Sequence, residues 1–225
     1  MSKIKFSKET FEILEAAAKI NSSIKLDAGN VVKTISADEA VIMHAIINDE
    51  FPSDACIYDL GKFLNLFKLP ALNDADIEFD DRKATIFGNR TKIQYWFCEE
   101  TYIKNTDRVR DMVLPDVKLT VEVSQNDLSS FARGASLLEH KYLQFVVHDN
   151  KVKMVATAPN IDTSNNMEID LGKIEESDDY IYTMDISNLK LIPGSYKVEI
   201  SNRGITKWTN TEQPVVFYIV LKAEA

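Results

Sequence analysis

Residues 3–97 and 119–221 run through the same order of elements at low identity, and a chain that repeats itself in this way folds as two similar halves. Each half opens on an alternating strand: Ile4 and Phe6 between Lys3 and Lys5, then Leu119, Val121 and Val123 between Thr120 and Glu122. A serine then starts an amphipathic helix, Ser7 to about Ile20 and Ser124 to about Leu138, and Ser124 with Asp127 has the pattern of a capping box. The next segments read as hairpins, 24–36 turning at 27–30 and 142–156 turning at Asp149 and Asn150. After a long polar stretch, Ile57-Tyr58-Asp59-Leu60 leads into a helix ending near Leu69, as Tyr182-Thr183-Met184-Asp185-Ile186 leads into one ending at Pro193. Closing strands are expected at 77–79, 84–87 and 93–97, and again at 196–200, 205–208 and 215–221.

The 225 residues suffice for two α+β domains of roughly 110 residues, each with its own core. The expected limits are 1–98 for the first, 119–225 for the second and a connector at 99–118. That connector has little periodicity; its apolar part, Val109, Met112, Val113, Leu114 and Pro115, either pins it to its own domain or lines a groove for a partner peptide. Cys56 and Cys98 lie in strand-like apolar runs, which suits a reducing compartment where buried thiols behave as small hydrophobes. No run approaches the roughly 18 apolar residues of a membrane span, so a cytoplasmic location without membrane contact is expected. The sequons at Asn21 and Asn89 then carry no meaning.

Catalysis needs convergent groups, and the sequence offers few. His44, His140 and His148 are the only histidines, and there is no nucleophile elbow, phosphate loop, zinc-protease helix or paired-cysteine motif. Asp74, Asp76, Glu78 and Asp80 alternate with apolar residues, but neighbours on a flat strand do not converge on a metal, and such a pattern is how a half-buried strand meets water. Asp178-Asp179 and Glu99-Glu100 fall in connections. Neither an enzyme nor a cofactor is expected.

A net charge of −9 argues against nucleic acid unless the cations are gathered on one face. The helices point that way. The helix over 60–69 turns Leu60, Phe63, Leu64 and Phe67 inward and Lys62, Asn65 and Lys68 outward. The helix over 125–138 turns Leu128, Phe131, Ala132, Ala135 and Leu138 inward and Gln125, Asn126, Ser129, Arg133 and Ser136 outward. Neither outer face has a carboxylate. The first helix buries Phe11, Leu14, Ala17 and Ala18, and there Lys8 and Lys19 share the outer face with Glu12 and Glu15; the short fourth helix contributes Lys190. Each such face alone is either a solvated surface or a phosphate contact, and recurrence in both halves favours the second. Trp96 and Trp208 fall in equivalent strands and are expected to be structural, which leaves no aromatic platform for single-stranded DNA.

With this order and spacing, and with Ile20-Asn21-Ser22-Ser23-Ile24, Ile57-Tyr58-Asp59-Leu60-Gly61-Lys62-Phe63-Leu64, Ala84-Thr85-Ile86-Phe87 and Pro193-Gly194-Ser195-Tyr196-Lys197-Val198, the chain resembles the DNA sliding clamps, in particular the trimeric clamps of large tailed phages. The resemblance implies two clamp-type domains in a head-to-tail homotrimeric ring, with helices on the inner face and antiparallel sheets outside. It implies a processivity factor that encircles double-stranded DNA without regard to sequence, in the cytoplasm of an infected bacterium. Its partners would be the replicative DNA polymerase, an ATP-dependent clamp loader and late transcription factors. Lys62, Lys68, Arg133, Lys190, Lys8 and Lys19 would face DNA, and a polymerase peptide would enter near Val109 and Met112 to Pro115. The alternative is a two-domain interaction adaptor that encircles nothing.

Overall fold

The computed structural model describes residues 3–158, 165–175 and 179–222. Asp178 lies outside them. The chain divides into two compact units, Met1–Met112 with Pro214–Val216, and Val113–Gln213 with Phe217–Ala225.

The first unit contains β1 (Lys3–Ile4), α1 (Lys8–Ile20), β2 (Ile24–Leu26), β3 (Gly29–Ile35), β4 (Val41–Phe51), β5 (Ala55–Ile57), α2 (Leu60–Leu66), β6 (Asp76–Phe79), β7 (Lys83–Gly88) and β8 (Thr91–Trp96). Ser7 caps α1, its Oγ accepting from the Thr10 amide at 3.2 Å. The helix stops at Asn21, whose side-chain amide donates to the Ile35 carbonyl at 2.9 Å. One antiparallel sheet has the order β1-β6-β7-β8. Its acidic strand does not gather carboxylates: Asp76 and Glu78 face Lys5 and Lys3, each at 3.8 Å, while Ala75, Ile77 and Phe79 are buried.

The hairpin expected over 24–36 does not form. β2 pairs with β5, Ile24 opposite Ile57, and β3 pairs with β4. Gly29, at φ +110°, redirects the chain, and Asp54 accepts the Ala28 amide at 2.8 Å. The hairpin closes instead at 36–40, where Asp38 accepts from Ser36 Oγ and the Ala40 amide. The eleven-residue β4 occupies a stretch that reads as polar. Val41, Met43, Ala45, Ile47 and Phe51 face inward there, and the outward Asn48 and Glu50 mask the alternation. α2 is also shorter than expected, because Phe67, Lys68 and Leu69 bond back three residues ahead of Pro70. The core joins these elements through edge-to-face rings: Phe6 lies 5.5 Å from Phe11 and 5.8 Å from Phe51, and Phe63 lies 5.5 Å from Phe67.

The second unit contains β9 (Val117–Val123), α3 (Gln125–Leu137), β10 (Tyr142–His148), β11 (Lys151–Thr157), β12 (Met167–Lys173), β13 (Tyr180–Asp185), β14 (Tyr196–Ser201) and β15 (Ile205–Asn210); β16 (Val215–Val220) enters it at Phe217. The capping box at Ser124 and Asp127 is present. The β10–β11 hairpin turns at Asp149 and Asn150, both at positive φ as this tight turn requires. β12-β11-β10-β13 form one sheet, and β14 pairs with both β9 and β15. β12 reads as coil in the sequence because it is an edge strand with no fully buried side chain.

The fourth helix is absent. The segment makes only a 3-10 turn, Ile186–Asn188, since eight residues before Pro193 cannot nucleate a stable helix without tertiary support. Trp208 is fully buried, ringed by Tyr196 and Phe145, and its indole N–H donates to Thr206 Oγ1 at 2.9 Å. Trp96 is not its structural counterpart: it ends β8 at 58% exposure, under the Lys83 ammonium at 4.8 Å.

Candidate nucleic-acid interface and partner groove

In the first unit α1 packs on α2; Leu14 and Ala17 are buried as expected, with Ile13, Ala16 and Ile20 beside them, while Phe11 and Ala18 are half-buried. Lys8, Lys62 and Lys68 are exposed, and so is Lys19. Three of the four are ion-paired: Lys62 with Asp59 at 3.0 Å, Lys68 with Glu15 at 2.9 Å and Lys8 with Glu12 at 3.7 Å. Asp59 also caps α2, accepting the Lys62 amide at 2.8 Å. That backbone bond, then the lysine side chain, hold its carboxyl below the usual range, and the carboxylate raises Lys62 in turn. A helical wheel shows no acid on the outer face of α2 because both partners come from beside it, one from the cap and one from α1.

In the second unit Arg133 is exposed on α3 beside Gln125, Asn126, Ser129 and Ser136. The buried stripe is narrower than the wheel implies. Phe131 and Ala135 are buried, Leu128 and Leu138 are half-buried, and Ala132 is exposed. Lys190 is half-buried in coil, so the helical face expected to present it does not exist.

The connector residues are split between the units. Val109 and Met112 go with the first, and Val113, Leu114 and Pro115 with the second. Val109 and Leu114 are buried, Met112 is at the edge of exposure and Val113 is 93% exposed. Lys104 pins the first part by donating to the Ala37 carbonyl at 2.9 Å and pairing with Glu39 at 3.0 Å. Within the second unit, Ser201 Oγ donates to the Pro115 carbonyl at 2.6 Å. The same Ser201 borders a groove of about 420 Å³ lined by Tyr180, Ile181, Tyr182, Asn202 and Leu221. Tyr180 and Tyr182 stack at 5.7 Å, and Ile181 is 51% exposed. These residues escape sequence reading; the one available signal is an aromatic-rich strand, which looks the same whether it faces core or water.

Among the described residues no catalytic grouping emerges. Burial pushes both thiols up, Cys56 and Cys98, away from the nucleophilic thiolate. His148 is held above its ordinary value by the Asp179 carboxylate at 2.7 Å on an exposed turn. Among the described residues no cluster of His, Cys, Asp or Glu is placed to hold a metal.

Comparison with known proteins bears first on the fold. The fold matches A. fulgidus PCNA, solved with the C-terminal region of FEN-1 bound, over 100% of both chains with a TM-score of 0.74 at 9% identity. It matches PCNA from Thermococcus kodakaraensis over 98% and 99% of the two chains with a TM-score of 0.71 at 12% identity. This is the α+β fold of the DNA sliding clamps. Residues 7–101 match the family model for the DNA polymerase processivity factor. The sliding clamp of Escherichia phage RB69 is 25% identical over 221 residues, 96% of each chain, and that of Enterobacteria phage T4 is 24% identical over 205 residues, 89% of each. Over nearly its whole length the chain is similar to the sliding clamps of these phages.

Proposed function

We infer that the protein is a sliding clamp that encircles duplex DNA and tethers the replicative polymerase. The observation that carries this is the end-to-end correspondence with phage clamps, covering both units and the connector. Three chains, six similar domains, would close by one repeated heterologous contact. Lys8, Lys19, Lys62, Lys68 and Arg133 would then meet phosphates, which carry no sequence information and exchange as the ring moves. Retention is topological, so polymerase rebinding becomes intramolecular and processivity rises without a tight DNA site. A closed ring has no entrance for DNA, which calls for an ATP-driven loader in the infected cell. The polymerase peptide would seat beside Pro115, in the groove of Tyr180, Ile181 and Tyr182, with Val109, Met112, Val113 and Leu114 as the connector leading to Pro115. Late transcription factors would use the same groove. The protein works by position and needs no catalytic centre of its own.

Light scattering across a concentration series tests ring closure. A species near three times 25.5 kDa at micromolar protein supports the reading; a mass fixed at one chain, together with no gain in polymerase processivity on primed DNA, refutes it.

A further inference from the structure

The cations on α1, on α2 and on the turn that follows α2 are partly disarmed, and the manner of it is specific. Asp59 is fixed by its two oxygens: Oδ1 accepts the Lys62 backbone amide at 2.8 Å as the α2 cap, and Oδ2 holds the Lys62 ammonium at 3.0 Å. Moving the capping carboxylate away would give up the α2 cap, so its charge is held beside Lys62. Glu15 reaches across from α1 to Lys68 at 2.9 Å, although that lysine is 65% exposed. Among the described residues no salt bridge ties Lys19 or Arg133.

We propose that Asp59 and Glu15 are built-in competitors for phosphate at Lys62 and Lys68, which keep the DNA affinity of the clamp low. This rests on the reading that these helices face DNA. A phosphate reaching Lys62 or Lys68 displaces a carboxylate that remains nearby and repels it, so each pair attracts the duplex far less than a free lysine. Affinity and its salt dependence scale with the phosphates effectively neutralised, so both are reduced. For a ring held by topology, weak contacts are an advantage: a strongly held phosphate would have to be released at every step along the duplex. The carboxylates that dilute the basic face thus act as positioning residues for sliding.

The test is anisotropy of a fluorescein-labelled 30-base-pair duplex titrated with the full-length protein at several low salt concentrations. The D59N/E15Q variant is compared with wild type. The asparagine side chain introduced by D59N retains an Oδ1 acceptor for the cap, and the unchanged oligomeric mass and melting of the variant verify that it is folded. The expected result is at least about threefold tighter binding, since surface pairs of this kind are each worth a small factor. The log–log salt slope should steepen by about 0.9 for each lysine freed. The gain must disappear when Lys62 and Lys68 are also changed to alanine. Unchanged affinity in D59N/E15Q, or an equal gain without the two lysines, overturns the proposal. The K19A/R133A variant separates the two levels: if it binds like wild type, the DNA-facing reading itself fails; if it binds more weakly while D59N/E15Q gains nothing, only the competitor role fails.

Discussion

Replacing Thr206 with valine removes a hydroxyl but almost no volume, and in this fold that hydroxyl sits between two buried groups. It accepts from the Trp208 indole N–H at 2.9 Å and donates to the Ile219 carbonyl at 3.0 Å, and neither Thr206 nor Trp208 has any exposure. In T206V the indole N–H stays buried without its partner, at about 1–3 kcal/mol, and the second hydrogen bond is lost at about 0.5–1.5 kcal/mol. A total near 2–4 kcal/mol is expected. T206S keeps the hydroxyl and loses one buried methyl, about 1 kcal/mol. Urea unfolding followed by circular dichroism should therefore rank wild type above T206S and T206S above T206V, with similar slopes for all three. Trp208 emission should change in T206V, because its N–H loses an acceptor. If T206V were as stable as T206S, apolar filling would outweigh the polar chain, and the reasoning about this core would be wrong.

Gly88 offers a steric test: a Cβ there would lie 2.0 Å from the Ala71 carbonyl oxygen and 2.6 Å from Leu72 Cδ2, so G88A should cost about 1–3 kcal/mol in thermal unfolding. His44, half-buried on β4, is held below its ordinary value mainly by burial. Its contribution to stability is therefore present above the unfolded value of about 6.5 and is lost as pH falls through the lowered folded value. H44Q should flatten the stability profile over that window, and an unchanged profile in denaturant titrations would remove His44 from the account. For the groove, I181D should abolish capture of a polymerase C-terminal peptide while leaving the oligomeric mass unchanged; retained binding by calorimetry would place the peptide elsewhere.

The elements legible in the sequence are those whose determinants are local. Ser7 and Ser124 announce helix starts by side-chain capping, Asp149-Asn150 announces a turn by its tolerance of positive φ, the strands of 76–79, 91–96, 196–201 and 205–210 announce themselves by alternation, and that of 215–220 by its continuous apolar run. Order and spacing of these pieces, taken twice, are enough to point to a clamp. Apart from α2, cut short locally ahead of Pro70, the failures lie where a distant residue decides. β2 ignores its neighbour in sequence for β5, β4 hides behind outward polar residues, and 185–193 has helical composition but no surface to nucleate on. The candidate site divides in the same way. Helical spacing alone places Lys8, Lys19 and Lys62 on outer faces, because that depends on a local period of 3.6 residues. Only the tertiary structure decides what the lysines hold, since Glu15 and Lys68 are brought together by the packing of α1 on α2, and no local pattern encodes that contact.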